Sequence, residues 1–473
     1  MTPNGRPAQL TAVELLQLYK AKELSPVEVV SDAIARIRSL NPYVNAYCYV
    51  DEDGALEQAK ASEDRWYRGE PLGQIDGVPC SIKDLVLVKG MPTRKGSLTT
   101  PSDAPQDMDA PVTAHLREAG GIILGKTTTC EFGWKGVTDS PLTGITRNPW
   151  NLDMTPGGSS GGAAAAAALN LGVLHVGTDA GGSIRIPCAF TGTFGMKPSF
   201  GYVPQWPSSA MGTLSHLGPM TRTVSDSALM MSVIGRGDVH DFYCSEPRSR
   251  DWTATLNLGV KGLRIAYSPT LGYAEVDPEF QALTAKCARV LEEHGATVDM
   301  VDPGFADPTT DFETLWYAGA AGAIFKLSPE ARGELDEGLL RVAELGRRID
   351  ILDYLRAVDR RIELAEKMLE FHSRWDLLLT PTVPITAFPV GSNVPANWPS
   401  DNWVTWSPYC HPFNMTQQPA ASIPFGFSSD GLPVGVQLVG PKFRDDLVFR
   451  GAQAISHAFA ATFPTDQSVI AGA

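Results

Sequence analysis

The chain has 473 residues, of which 43% are hydrophobic and 19% are charged. These fractions are typical of globular proteins, and the 45 glycines and 36 prolines are too few for a collagen-like or disordered chain. The 39 basic and 53 acidic residues give a net charge of −14, and no Lys/Arg cluster is present to attract a phosphate backbone. We therefore expect a globular protein that does not bind nucleic acid.

The amino-terminal segment and the cysteines indicate where the protein works. The first ten residues, MTPNGRPAQL, contain no apolar stretch after a basic start, and no apolar run in the chain is long enough to span a bilayer. The seven cysteines show no CxxC spacing of the kind that binds zinc or carries redox chemistry. We expect a cytoplasmic protein without membrane contact, whose cysteines are buried thiols rather than disulfides or nucleophiles.

Helix signals open the chain. Thr11 with Glu14, and Ser25 with Glu28, fit capping boxes, in which two side chains satisfy backbone N–H groups at the start of a helix. The second helix carries apolar residues at helical spacing and is predicted to stop at the Asn-Pro pair 41–42. Two helices are therefore expected before the first strand.

After a polar helix that ends near Gly69, short apolar or β-branched runs alternate with helical patterns. Such alternation is typical of an α/β architecture with a central sheet. Strong helices are predicted between the runs, at 278–294 after Asp277 and at 351–372. The predicted strands are 44–50, 78–82, 122–124, 173–176, 263–267, 297–301, 377–380 and 434–439.

No repeat, low-complexity linker or charge block divides the chain, so we expect one domain over residues 1–473. Residues 302–375 are mostly helical in pattern and could form a cap beside the sheet. Residues 381–412 are rich in proline and tryptophan, which favours an irregular segment that could wall a pocket. A packed surface segment without a ligand explains this composition equally well.

Two glycine-rich motifs match signatures of other enzyme classes. Residues 120–127, GGIILGKT, satisfy the phosphate-binding pattern GxxxxGK[ST], but their centre resembles a strand rather than a flexible loop, so no NTPase is predicted. Residues 157–161 satisfy the GxSxG pattern of α/β-hydrolases, but no buried strand is predicted at 151–156 before them. A Ser-His-Asp triad stays an open alternative without support from this motif, because such triads assemble only in three dimensions.

Small residues are concentrated around serines between Lys83 and Pro187. TPGGSSGG at 155–162 leads into six alanines, and GTDAGGSIRIP at 177–187 follows a predicted strand. Glycines in this arrangement let the backbone approach a ligand closely and point its N–H groups at it. Two Gly-rich turns joined by an Ala-rich helix would explain either motif alone, but explain their combination with an upstream lysine much less well.

These residues resemble the amidase signature family. GVPCSIKD at 77–84 is similar to the lysine motif of that family, TPGGSSGG to its first serine motif and GTDAGGSIRIP to its second. The similarity extends from about Gln74 to Val224, and weaker similar pieces occur at 379–382 and 432–435. The resemblance implies a single large α/β domain with a central mixed β-sheet covered on both sides by helices.

The resemblance also implies a catalytic assignment that needs no metal or cofactor. Ser183 would be the nucleophile, Ser159 the bridging serine that relays its proton, and Lys83 the base. Lysine accepts a proton only when neutral, and burial would lower its pKa provided that the neighbouring Asp84 points elsewhere. The Gly158-Ser159 peptide bond would be cis. The backbone N–H groups of Ala180, Gly181, Gly182 and Ser183 would form the oxyanion hole, with Ser160, Asp179 and Arg185 in supporting roles.

This assignment predicts hydrolysis of a small-molecule amide through an acyl-enzyme, with esters or carbamates as side activities. Apolar and aromatic residues at 316–325 and in the segment 381–412 favour an apolar or aryl substrate. The alternative is the glutaminase subunit of a tRNA-dependent amidotransferase, which would need a partner protein. From the resemblance we expect a free-standing amidase and, further, a homodimer.

Overall fold

The computed structural model describes residues 7–100, 104–244 and 250–472. Residues 1–6, part of the segment in which the sequence predicts no export signal, lie outside the described residues. The strands of the described residues are β1 (Tyr47–Val50), β2 (Pro79–Lys83), β3 (Ile122–Thr127), β4 (Asp139–Ser140), β5 (Gly144–Ile145), β6 (Leu174–Asp179), β7 (Phe194–Lys197), β8 (His216–Thr221), β9 (Arg264–Tyr267), β10 (Thr297–Met300), β11 (Leu377–Pro381), β12 (Ala420–Phe427) and β13 (Pro433–Val439).

One large sheet contains all of these strands except β4 and β5, which pair with each other. Within the described residues it has 11 strands in the order β1-β3-β2-β6-β8-β7-β12-β13-β11-β9-β10. Strand β2 is parallel to β3 and β6, whereas β6 and β8 are antiparallel. At the other end, β9 is parallel to β10 and β11, whereas β11 and β13 are antiparallel. The sheet is therefore mixed.

Helices cover both faces of this sheet. The helices of the described residues are α1 (Ala12–Ala21), α2 (Pro26–Val44), α3 (Glu52–Arg68), α4 (Pro111–Glu118), α5 (Gly161–Ala168), α6 (Arg185–Thr191), α7 (Val224–Ile234), α8 (Pro278–Glu293), α9 (Thr309–Ile324), α10 (Pro329–Arg332), α11 (Glu337–Arg347), α12 (Ile351–Arg374), α13 (Pro412–Met415), α14 (Asp445–Ala458) and α15 (Asp466–Ala471). Leu377 and Leu379 of β11 belong to a core with α7, α8 and α14, whereas Leu378 belongs to a second core with α9, α11 and α12. Successive strand residues point to opposite faces, so each face has its own core and the predicted fold class is confirmed. No helix in the part of the chain that the structure describes is long and apolar enough to cross a membrane.

Every strand predicted from the sequence is present, and three strands of the large sheet were not predicted: β7, β8 and β12. The short β4–β5 pair was also missed. Glycine or proline occurs inside the three missed strands, as at 218–219 in β8 and at Pro424 in β12, and both residues weigh against a strand in sequence patterns. The three strands are neighbours in the sheet, and the pairing of β12 with β13 becomes irregular after Pro424.

The predicted helix starts are confirmed, but one predicted helix end is wrong. Both capping boxes are present at the starts of α1 and α2. Helix α2 does not stop at residues 41–42 but continues through Pro42 to Val44, which is buried. Pro42 lies in the last turn, where its missing N–H removes one hydrogen bond and the backbone stays helical. Asn45 then ends the helix in the left-handed conformation, with φ 50°.

Helices α9 to α12 occupy most of the segment 302–375, and α9 packs against α11 and α12. Between β11 and α13 the chain is irregular except for a short 3₁₀ helix at Trp403–Trp406. The side chains of Trp406 and Tyr409 in this segment are nevertheless fully buried. The proline- and tryptophan-rich segment is therefore part of the second core.

Candidate active site

Three hydroxyl groups surround the amino group of Lys83. Lys83 is the last residue of β2, an inner strand between β3 and β6, and its side chain is fully buried. Its Nζ donates to Ser159 Oγ at 2.7 Å, to Ser160 Oγ at 2.8 Å and to Thr178 Oγ1 at 2.8 Å. The structure thus brings together three predicted residues and adds Thr178, which the sequence analysis did not single out.

The environment of Lys83 favours its neutral form. Burial lowers the pKa of Lys83 from 10.5 to about 7, against smaller opposing contributions from Cys130 and Asp179. An amine with this pKa can accept a proton near neutral pH. The carboxylate of Asp84 is paired instead with Lys126, whose Nζ lies 3.2 Å away. The expectation that Asp84 points elsewhere is confirmed.

Neither of the two misleading motifs forms the site that its pattern suggests. Residues 122–127 of the phosphate-loop pattern are strand β3 itself, and Gly120, with φ 87°, follows α4. The GxSxG pattern at 157–161 is not preceded by a strand in the described residues 151–156, where Met154 forms only an isolated bridge. The structure thus confirms the strand predicted within the first pattern and the predicted lack of a strand before the second.

Close backbone packing shapes the loop of the first serine motif. The peptide bond between Gly158 and Ser159 is cis, as the resemblance implies. A Cβ on Gly158 would lie 2.4 Å from the backbone of Val137, so only glycine fits there. On the other side, a Cβ on Gly133 would lie 3.3 Å from Ser159 Oγ. The segment around Gly133 therefore walls the site, although no motif in the sequence marks it.

Asp179 fixes the loop of the second serine motif. Its carboxylate accepts the N–H of Gly182 at 2.8 Å and pairs with Arg185 Nε at 2.9 Å. Burial opposes the charged form, but the Arg185 guanidinium holds the pKa of Asp179 well below its usual range. Ser183 lies within this loop, 5% exposed, and its carbonyl accepts the N–H of Ser160 at 3.2 Å. The loops of the two serine motifs are thus in direct contact.

Four backbone N–H groups in this loop are predicted to form the oxyanion hole, and one of them is already hydrogen-bonded within the protein. The N–H of Gly182 is already bonded to the Asp179 carboxylate. In the described chain, the N–H groups of Ala180, Gly181 and Ser183 have no acceptor. Three backbone donors therefore remain available to a ligand at the loop.

Two carboxamides from the carboxyl-terminal part of the chain brace the same loop. Arg185 donates to Asn414 Oδ1 at 2.6 Å and to Gln437 Oε1 at 2.8 Å. Asn414 in turn donates to Asp179 Oδ1 at 2.8 Å. Both carboxamides are fully buried, Asn414 in α13 and Gln437 in β13. The sequence analysis missed both, because they lie far from the serine motifs in the chain.

Buried aromatic side chains pack against the loop at Gly181, and we call Phe312, Trp316, Trp403 and His411 the aromatic wall. A Cβ on Gly181 would lie 2.7 Å from Phe312 Cζ and 3.3 Å from Trp403 Cη2. Phe312 stacks near His411 with ring centroids 4.8 Å apart, and Trp316 meets Trp403 edge-on at 5.6 Å. Helix α9 and the proline- and tryptophan-rich segment therefore meet beside Gly181.

Comparison with known proteins agrees with this geometry. A family model described as Amidase matches residues 28–449. The chain belongs to the amidase signature family. The resemblance seen in the three motifs is confirmed, and membership of this family makes the protein an amide hydrolase.

Members of the family that are similar to this chain differ in what they act on. The chain is 36% identical to an acylamidase of Rhodococcus erythropolis over 98% of both chains. It is 35% identical to a glutamyl-tRNA(Gln) amidotransferase subunit of Myxococcus xanthus, over 94% of this chain and 96% of the relative. A solved bacterial aryl acylamidase superposes with a TM-score of 0.89 and 31% identity over 98% of both chains. A 6-aminohexanoate cyclic dimer hydrolase superposes with a TM-score of 0.87 and 27% identity, over 97% of this chain and 99% of that one.

Proposed function

We propose that this amidase signature protein is a free-standing serine amidase that hydrolyses the C–N bond of a small, linear, apolar or aryl amide. One observation carries the proposal: the buried Lys83 amine has a pKa of about 7 and lies 2.7 Å from the hydroxyl of Ser159. In this proposal Ser183 is the nucleophile, and Ser159 carries its proton to Lys83. These side chains supply both the base and the nucleophile, so the mechanism needs no metal or cofactor.

Hydrogen-bond directions around Lys83 support this order of proton transfer. The hydroxyl of Ser160 donates to the Thr178 carbonyl at 3.2 Å, so it accepts a proton from Lys83. The Thr178 hydroxyl accepts the second amine proton. As an ammonium, Lys83 donates to all three hydroxyls. When it loses the proton directed at Ser159, the neutral amine keeps two N–H groups for Ser160 and Thr178 and turns its lone pair to the hydroxyl of Ser159. Ser159 can therefore give its proton to Lys83 as it takes one from Ser183.

The remaining steps follow from the same groups. Ser183 Oγ bonds to the acyl carbon, and the N–H groups of Ala180, Gly181 and Ser183 stabilise the oxyanion. The C–N bond then breaks, and Ser159 returns the proton from Lys83 to the departing amine. Water attacks the resulting ester by the same route, which releases the acid and restores Ser183.

The aromatic wall supports an apolar or aryl substrate. The side chains nearest to a Cβ built on Gly181, two residues before the proposed nucleophile, are those of Phe312 and Trp403. Aromatic faces and edges bind apolar groups and other aromatic rings through burial and stacking. The acylamidase and the aryl acylamidase among the similar proteins agree with this substrate class. Esters and carbamates share the acyl-enzyme route, so we propose them as side activities.

The similarity to the Myxococcus xanthus amidotransferase favours a second candidate function, glutamine hydrolysis within a complex. Free glutamine carries an ammonium and a carboxylate, and an enclosed site must pair both charges to bind it. The side chains that meet Gly181, Phe312 and Trp403, are uncharged. We therefore favour the free-standing amidase.

Hydrolysis by the purified protein tests the proposal. The panel contains glutamine, a short aliphatic amide, an aryl anilide and an aryl carbamate, each with Ser183→Ala as the inactive variant. Ser232→Ala is a matched control, because Ser232 is also a buried serine but lies in α7. We expect turnover of the anilide that Ser183→Ala abolishes and Ser232→Ala keeps. Activity on glutamine alone would favour the amidotransferase function, and full activity of Ser183→Ala would reject the serine mechanism.

We also propose a cytoplasmic location and a homodimer. All seven cysteines are free thiols in the structure, which agrees with a reducing compartment. The homodimer rests on the resemblance and stays a prediction. Light scattering of the purified protein during gel filtration measures its mass. A monomeric mass at working concentration would contradict the predicted homodimer.

A further inference from the structure

A second cavity lies between α12 and two segments near the carboxyl terminus. Its volume is about 360 Å³, and it is lined by seven residues of α12 between Val358 and His372, by residues 415–418 and by residues 441–442. It shares no lining residue with the Lys83 cluster or the aromatic wall. The cavity is therefore a place for a ligand other than the amide at Ser183.

Most of the lining residues from α12 are apolar, and two of them are open to water. Val358, Ile362, Ala365 and Leu369 line it at intervals of one helical turn. Ile362 is 53% exposed and Leu369 is 66% exposed. Removal of such apolar surface from water is favourable, so these side chains fit an apolar body.

Two cations line the cavity without a carboxylate partner, Arg361 of α12 and Lys442 of the segment 441–442. Arg361 donates to the Met415 carbonyl at 2.6 Å and to Thr213 Oγ1 at 2.7 Å, and Lys442 donates to Gln417 Oε1 at 2.8 Å. All of these acceptors are neutral, and in the described part of the chain neither cation forms an ion pair. The charges of Arg361 and Lys442 are therefore not neutralised by a carboxylate, although the chain as a whole has a net charge of −14.

The other charges around the cavity do not change this balance. No Asp or Glu is among its lining residues. His372 also lines it, but burial lowers the pKa of His372 to about 4, so the ring is neutral at physiological pH. Burial lowers the pKa of Arg361 to about 10, and burial and then Arg361 lower the pKa of Lys442. A bound anion would raise the pKa values of Arg361 and Lys442 again, because an opposite charge stabilises their protonated forms.

We propose that this cavity binds an amphipathic monocarboxylate, with its apolar body along Ile362 and Leu369 and its carboxylate paired with Arg361 and Lys442. Charge complementarity selects the carboxylate, since a neutral or cationic head group would leave both cations unpaired. The shape of the cavity accepts an alkyl or an aryl body. The proposal does not depend on the reaction at Ser183 and stands if the substrate class proposed above is wrong.

A photoaffinity experiment locates the site directly. Octanoate with a diazirine on its chain is bound to the wild-type protein and irradiated, and the labelled positions are assigned to single residues by fragmentation of the labelled peptides in a mass spectrometer. We expect labels on residues within 358–372 or 415–418, and protection by unlabelled octanoate. Labels confined to residues of the aromatic wall or the serine loops would overturn the proposal.

Calorimetry of matched probes and variants tests the recognition. Octanoate and 2-naphthoate distinguish an alkyl acid from an aryl acid as the preferred ligand, and octylamine has the wrong charge. We expect Lys442→Met to weaken carboxylate binding by roughly tenfold, as for loss of one charge-assisted hydrogen bond, while Lys442→Arg retains it. Lys442 is half-buried, and an unchanged thermal midpoint shows that the variant is folded. Equal affinity for octanoate and octylamine, or for wild type and Lys442→Met, would reject the site.

Discussion

The side-chain amide of Asn414 donates to both the backbone carbonyl and the carboxylate of Asp179, at 3.0 Å and 2.8 Å, although the two residues are 235 positions apart. Asp179 in turn fixes the N–H of Gly182 and the guanidinium of Arg185. A residue of α13 thereby holds the loop that carries Ser183. Because Asn414 touches the brace rather than the proposed reacting atoms, we assign it a positioning role.

Replacement of Asn414 by alanine tests this positioning role. The substitution leaves buried polar partners on Asp179 and Arg185 unsatisfied, which costs ~1–3 kcal/mol of folding free energy. A small displacement of Ser183 lowers kcat by up to roughly a hundredfold, with little change in KM. Steady-state kinetics and thermal unfolding measure both effects, with the exposed Asn151→Ala as the matched control. Loss of stability with unchanged kcat would show that Asn414 is only structural.

The pKa of Lys83 predicts the pH dependence of turnover. The proposed base works only when neutral, and its pKa of about 7 means that the neutral fraction rises as pH increases through 7. We expect kcat/KM to rise across this range and level off above it, measured over roughly pH 5 to 9. Asp226→Asn is the control, because burial raises the pKa of Asp226 to about 7 and it titrates in the same range. A profile that is flat, or one that Asp226→Asn abolishes, would count against Lys83 as the base.

The parts of the site that the sequence predicts are those carried by local motifs. Lys83, Ser159 and Ser183 lie in short segments whose order and composition are specific to one family. The aromatic composition of 316–325 and 381–412 also predicts part of the aromatic wall, namely Trp316, Trp403 and His411. Asn414 and Gln437 occur in segments with no such composition, and their role arises only when the fold brings distant segments together. Local composition decides in the same way which strands of the sheet are predicted. Apolar runs such as 434–439 predict strands, whereas β8 was not predicted because its sequence contains a glycine and a proline.

Thr178→Val is expected to make Lys83 a less effective base. Valine has nearly the shape and volume of threonine, so the packing of the side chain is kept. The variant removes one of the three hydroxyls around Lys83 Nζ, so the amine is less firmly oriented towards Ser159. We expect kcat/KM to fall by about tenfold, the size of one lost hydrogen bond to a charged or reacting group. An acceptor of N–H bonds stabilises the ammonium, so its loss also moves the midpoint of the pH profile to lower pH. Thr113→Val removes a hydroxyl of another buried threonine, in α4, and should change neither quantity.

Contact between Gly181 and Phe312 is expected to limit which substrates fit. In Gly181→Ala the new methyl would lie 2.7 Å from Phe312 Cζ, so the ring or the loop must shift. Turnover of the aryl anilide should therefore fall by about tenfold or more, as expected for a displaced reacting geometry. In the double variant with Phe312→Leu, the smaller side chain makes room for the methyl and should restore part of the rate. If the loss of rate in the double variant equals the product of the losses in the two single variants, the two residues do not interact. The aromatic wall would then not affect the position of the loop.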